Sequence, residues 1–183
     1  MKIRSKNLIL SQIEADDIDQ IHSYASEYSQ VGHSFSTRIR SKDYWVKKYN
    51  ANGLWSDDYG MLKISDVNEN NLIGVIWYFV SMPYVHGFEI GFNIFNSAKR
   101  EKGFATEALN IFSSYLFSAY NITRLQCNTY LPIDHPSIKS LTEKTGYVYE
   151  GTMRKSVYIR GRLVDLHLFS LLKENSKDLD QLL

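Results

Sequence analysis

Cysteine is all but missing from this chain: Cys127 stands alone, so no disulfide can close within it, and a reducing compartment suits such a sequence. Proline is nearly as scarce. Pro83, Pro132 and Pro136 are scattered, and no Pro-, Ser- or Gly-rich linker divides the chain, which predicts one continuous domain. Nothing approaches the roughly 18 apolar residues of a membrane-spanning helix; the longest apolar run, Leu72 to Met82, is interrupted by Gly74 and Ser81. No signal peptide or lipidation motif is visible at Met1-Lys2-Ile3-Arg4, so a cytoplasmic protein with no membrane partner is expected. An excess of one charge is absent too. Lys plus Arg number 21 against 20 Asp plus Glu, and without a global field nucleic acid is not an expected partner, despite the Arg38, Arg40, Lys42, Lys47 and Lys48 run interleaved with Tyr44, Trp45 and Tyr49.

What the sequence does hold is apolar material for a core, 44% hydrophobic and 14% aromatic over 183 residues, a length that single domains commonly reach. Leu8 to Gln12 reads as a first strand. Asp16 and Asp17 then suit a helix start, with Ile18, Ile21, Ala25 and Tyr28 on one face. Ser41 can cap a second helix that Asn52-Gly53 ends. Tyr59 to Ser65 and Leu72 to Val80 are β-rich and separated by Asp66, Asn68, Asn70 and Asn71, and Phe88 to Phe95 supplies another strand. From Gly103 the period changes to that of an amphipathic helix, through Ala105, Ala108, Leu109, Phe112, Tyr115, Leu116 and Ala119. Arg124 to Tyr130 is a strand, and His135-Pro136 opens a helix that Gly146 ends. A hairpin of Tyr147 to Ile159 and Leu163 to Leu172 turns at Arg160-Gly161. The expected organisation is a single domain over 1–172 and a polar C-terminal tail over 173–183 that frays.

The chemistry gathers where the strand Phe88 to Phe95 runs through a basic loop into the helix beginning Gly103-Phe104-Ala105-Thr106. The first turn of a helix presents unpaired N–H groups and a partial positive charge, so a diphosphate placed there gains several hydrogen bonds. Gly103 removes the Cβ that would keep a phosphate off the backbone, and Arg100 and Lys102 add mobile cations.

Arg100-x-x-Gly103-x-Ala105 resembles the acetyl-CoA signature of the GNAT superfamily, Arg/Gln-x-x-Gly-x-Gly/Ala. Gly103-Phe104-Ala105-Thr106-Glu107-Ala108-Leu109, Glu143-Lys144-Thr145-Gly146-Tyr147, Glu150-Gly151-x-Met153-Arg154 and Gly161-Arg162-Leu163-Val164-Asp165 are similar to its ribosomal-protein N-terminal (RimJ/RimL-like) branch. The match is specific from about Phe88 to Leu172 and only positional before Asn70. The resemblance implies an α/β fold of the α+β kind: a mixed, mostly antiparallel sheet of about seven strands, splayed at the cofactor site and flanked by about four helices. It implies acetyl-CoA as cosubstrate, no metal, an amine acceptor, and a monomer or homodimer. Asn93, Ile94 and Phe95 would pair with the pantetheine amides as an added strand does. Lys99, Arg100, Glu101, Lys102, Gly103, Phe104, Ala105 and Thr106 would enclose the pyrophosphate, with His135 and Ser140 beside the cofactor arm.

Acetyl transfer needs a neutral amine, a polarised thioester and a proton source for the thiolate. Glu89 matches the position of the base in many relatives, and alternation sets it opposite Ile90 and Phe92. Where many relatives carry a tyrosine acid this chain has Thr142, and Ser137, Ser140 or a water could substitute, with Ser137 the candidate acid. Trp45, Tyr49 and Asp165 are candidates for the acceptor side. His135 reads more readily as a helix cap, Cys127 as a buried structural thiol, and His22, His33, His86 and His167 show no ligand spacing. A small-molecule amine, amino sugar or antibiotic is an alternative acceptor, and a catalytically silent acetyl-CoA-binding protein is the non-enzyme alternative.

Overall fold

The computed structural model describes residues 1–28, 38–68, 71–81, 86–95, 99–100 and 102–182. Glu101 and His33 lie outside them. One sheet contains β1 (Lys2–Arg4), β2 (Leu8–Gln12), β3 (Tyr59–Asp66), β4 (Leu72–Phe79), β5 (Gly87–Ile94), β6 (Arg124–Thr129), β7 (Val148–Ile159) and β8 (Arg162–Leu172), in the order β1-β2-β3-β4-β5-β6-β8-β7. Every neighbouring pair is antiparallel except β5 and β6. The helices are α1 (Asp17–Ser26), α2 (Lys42–Asn52), α3 (Phe104–Ala119) and α4 (Pro136–Thr145). The eighth strand, one beyond the expected number, is β1, whose three residues bury only Ile3 and are too short for alternation to register.

Strand alternation sorts the core into two layers. Leu62 and Ile64 of β3, Ile76 and Tyr78 of β4 and Ile90 of β5 pack under Leu109, Phe112 and Leu116 of α3. On the other face Met61, Val75 and Trp77 meet Ile18 and Ile21 of α1 and Trp45 of α2. The helix ends follow their sequence signals. Ser41 accepts the Tyr44 N–H at 3.2 Å, and Gly53 and Gly146 close α2 and α4 with left-handed backbone at φ 64 and 78. In the C-terminal tail, Lys173–Asn175 and Leu179–Gln181 form short 3₁₀ turns. Leu179 and Leu182 pack against the α3 core, and Ser114 Oγ donates to the Lys177 carbonyl at 2.7 Å. Two leucines in an otherwise polar segment suffice to dock it.

What positions the site is an interruption. Parallel pairing of β5 with β6 runs from Gly87↔Arg124 to Ile90↔Cys127 and then stops, although β5 continues to Ile94 and β6 stays with β8 through Asn128↔Leu168 and Thr129↔His167. The sheet splays there.

Candidate active site

The splay opens a cleft of about 740 Å³ lined by residues of β5, β6, α3 and α4. Its first wall is backbone. Phe95 donates its N–H to the Ile73 carbonyl at 2.9 Å, and with the register Val75↔Asn93 and Gly74↔Ile94 the alternation of an antiparallel ladder turns the peptide groups of Phe92 and Ile94 away from β4, toward the gap. Asn93 and Phe95 therefore bond to β4. The Phe95 ring is buried and stacks on Tyr24 at 4.6 Å, on the α1 side. Arg100 Nε donates to the Ile94 carbonyl at 2.9 Å, and its Nη2 reaches the Phe95 carbonyl at 3.4 Å, so this guanidinium clips the loop to the end of β5 while lining the cleft.

The second wall is the start of α3. Gly103 is its N-cap at φ 87 with no side-chain cap, and a Cβ built there meets nothing within 4 Å. The opening turn faces the cleft through Gly103, Ala105 and Thr106, which fits a diphosphate. Lys99 is placed elsewhere: its Nζ lies 2.8 Å from Asp66 Oδ2 and 5.9 Å from the Phe104 ring centre. Lys102 is exposed, and Phe104 packs against the core.

From α4 come His135, Ser137, Ser140 and Thr142. His135 is the N-cap; its Nδ1 accepts the Ser137 N–H at 3.2 Å, which assigns the ring proton to Nε2. Thr142 Oγ1 is engaged by its own helix, donating toward the Ile138 and Lys139 carbonyls at 3.1 and 3.0 Å. Its proton is thereby committed to helix carbonyls.

Glu89 is partly buried on the α1/α2 face of β5. Its Oε1 accepts from Asn128 Nδ2 at 2.8 Å and its Oε2 from Gln126 Nε2 at 3.2 Å; the same Gln126 nitrogen reaches Ser81 Oγ at 3.1 Å. Asn128 lines the cleft, so it stands between the opening and the carboxylate. Cys127 also lines it, but burial, with the Glu89 charge adding, pushes its thiol up to about 12, and a protonated thiol is a poor nucleophile. Gly91 is required by its neighbour, since a Cβ would sit 2.3 Å from the Trp77 ring. The three proposed acceptor residues are not brought to this point. Trp45 is buried in the α1/α2 core with Tyr49 packed against it, and Asp165 is exposed on β8, where its Oδ1 accepts the Lys155 N–H at 2.9 Å. Asn128 and Gln126 escaped the sequence reading because only the parallel register of β5 and β6 sets them beside Glu89. Among the described residues no group of three or more His, Cys, Asp or Glu is placed to hold a metal ion, and no helix is long and apolar enough to cross a membrane.

The model of the acetyltransferase (GNAT) domain family matches residues 7–148. The chain is a GNAT acetyltransferase. By sequence it is 36% identical over 87 residues to the uncharacterized N-acetyltransferase p20 of Bacillus licheniformis, a match spanning 48% of this chain and 45% of that protein. To spermidine N(1)-acetyltransferase of Vibrio cholerae it is 24% identical over 92% of this chain and 95% of that protein. Among solved structures, spermidine N-acetyltransferase from Vibrio cholerae with CoA and spermine superposes with a TM-score of 0.78 at 23% identity, covering 92% of this chain and 96% of that one. RimL, a ribosomal L7/L12 α-N-protein acetyltransferase with coenzyme A, gives 0.77 at 16% identity, covering 94% and 98%. At these identities the structural likeness is one of fold. The GNAT family assignment makes the chain an N-acetyltransferase.

Proposed function

We propose that this GNAT protein takes its acetyl group from acetyl-CoA lying through the splayed sheet and delivers it to a primary amine entering from the α1/α2 face. The observation that carries the reading is one continuous opening, from the uncapped first turn of α3 to Asn128 and, one hydrogen bond further, Glu89. Acetyl-CoA supplies the thioester. The first turn of α3 and Arg100 hold the diphosphate end, and the peptide groups of Phe92 and Ile94 offer the ladder edge to the arm. Glu89 takes a proton from the ammonium form of the acceptor. The freed nitrogen attacks the thioester carbonyl carbon, the C–N bond forms as C–S breaks, and CoA leaves as thiolate. Ser137, on the first turn of α4, is the proposed relay: its hydroxyl protonates the thiolate and takes in return the extra proton that the nitrogen carries once the C–N bond has formed. This leaves a neutral amide and CoA thiol, and a thiolate near neutral pH leaves tolerably without help.

For the acceptor, the α-amine of a polypeptide is the first reading, supported by the motifs over 143–165 and the likeness to RimL. A polyamine is the second, favoured by the likeness to spermidine acetyltransferase along 92% of the chain. Thermal melting in saturating acetyl-CoA, followed by release of CoA thiol on a panel of free-N-terminal peptides, spermidine and aminoglycosides, tests both. An unchanged melting temperature removes the donor, thiol release with peptides alone supports the first acceptor, and release with spermidine alone supports the second.

A further inference from the structure

Glu89 is held from both sides by carboxamides, and one of them is half satisfied. Asn128 gives Nδ2 to Glu89 Oε1 at 2.8 Å, while its Oδ1 is buried and has no hydrogen-bond partner among the described residues. Turning the amide over does not help, because it sets Oδ1 against the carboxylate, two acceptors in contact. A buried acceptor without a donor is rare in native structures and asks for a ligand or water to complete it. Asn128 lines the cleft, on the same face of the sheet as Glu89 and Gln126. That face is opposite the one α3 covers.

We infer that Asn128 Oδ1 accepts a hydrogen bond from the acceptor nitrogen, making Asn128 a substrate-positioning residue that also orients Glu89. The inference rests on the acetyl-transfer reading above and adds a basis for selectivity to it. An ammonium carries hydrogens for Asn128 Oδ1 and for Glu89 at once. After one proton passes to Glu89, a primary amine still has an N–H for Asn128 while its lone pair faces the thioester. A hydroxyl has a single hydrogen and satisfies only one of the two acceptors. The pair therefore selects nitrogen nucleophiles over alcohols.

Steady-state kinetics of Asn128→Leu and Asn128→Asp with spermidine and with a hexapeptide bearing a free α-amine test this, alongside ligand-free melting temperatures. Asn128→Leu is expected to raise KM for the accepted amine about tenfold or more, the loss of one hydrogen bond to a charged group, with KM for acetyl-CoA within about twofold. Asn128→Asp keeps the acceptor oxygen and is expected to recover amine KM, while the second carboxylate moves the pH–rate profile to the alkaline side. If Asn128→Leu melts early, Asn128→Ala replaces it. An unchanged amine KM overturns the inference, as does a rise confined to acetyl-CoA, which assigns Oδ1 to the cofactor arm. Wild-type protein that gains no thermal stability in acetyl-CoA and releases no CoA thiol with any amine of the panel above overturns the underlying reading instead.

Discussion

Lys99 Nζ and Asp66 Oδ2 are 2.8 Å apart, with side chains only 17% and 6% exposed. The pair ties the segment entering α3 to the last residue of β3, and Asp66 Oδ1 also accepts the Asn68 N–H at 2.8 Å. Removing one partner of a buried pair strands the other charge, at a cost of about 3–5 kcal/mol. Asp66→Asn is expected to lower the unfolding free energy from urea titration by roughly that amount, and adding Lys99→Met is expected to restore most of it.

Gly103 offers a cleaner test of the diphosphate cradle. Gly103→Ala adds backbone strain of about 1 kcal/mol at φ 87 and a methyl group over the first turn of α3. Gly53→Ala is the control, since it sits at φ 64 and its Cβ also meets nothing within 4 Å. Both variants should melt slightly earlier. Only Gly103→Ala should lose the upward shift in acetyl-CoA, and Arg100→Glu should lose it too, having released the Ile94 and Phe95 carbonyls.

Glu89→Gln keeps the size of the side chain and removes the proposed base. Turnover with the best amine is expected to fall about 10²–10⁴-fold, with the acidic limb of the kcat/KM profile flattened and the acetyl-CoA melting shift intact. Equal rates across the pH range would eliminate Glu89 as base.

Glu150 predicts a pH dependence of stability. The Arg124 guanidinium, at 2.7 and 2.8 Å, and Ser170 Oγ hold its carboxyl down at about 2. A carboxyl depressed on folding contributes stability that is full above its unfolded pKa of about 4.3 and fades as pH falls toward the folded value. Glu150→Gln should melt earlier than wild type at pH 7, and the gap should narrow steadily from pH 4.5 to pH 3. A gap that widens on acidification contradicts the assignment.

Local signals in the sequence carried most of the fold. Ser41, His135-Pro136, Gly53, Gly103 and Gly146 act within a few residues of themselves, so their spacing is enough to place the helix ends. Two stretches of the proposed site are equally local: the start of α3 at Gly103 to Thr106 and the strand bearing Glu89 are each contiguous in sequence. What joins distant segments was not legible. Nothing near Lys99 reveals its ion pair with Asp66, nothing near Glu89 points to Asn128, and nothing near Asp165 shows that the Lys155 N–H donates to it. Each of these follows from strand register, which pattern alone fixes weakly.

Because β5 loses its parallel partner after Ile90, a strand in the middle of an eight-stranded sheet has the hydrogen-bonding character of a rim strand over its last residues. Amide exchange in the ligand-free protein should therefore be fast at Phe92 and Ile94 and slow at Gly91 and Asn93, a two-residue alternation within one strand. Whatever fills the gap would erase that alternation by taking the place of the missing neighbour.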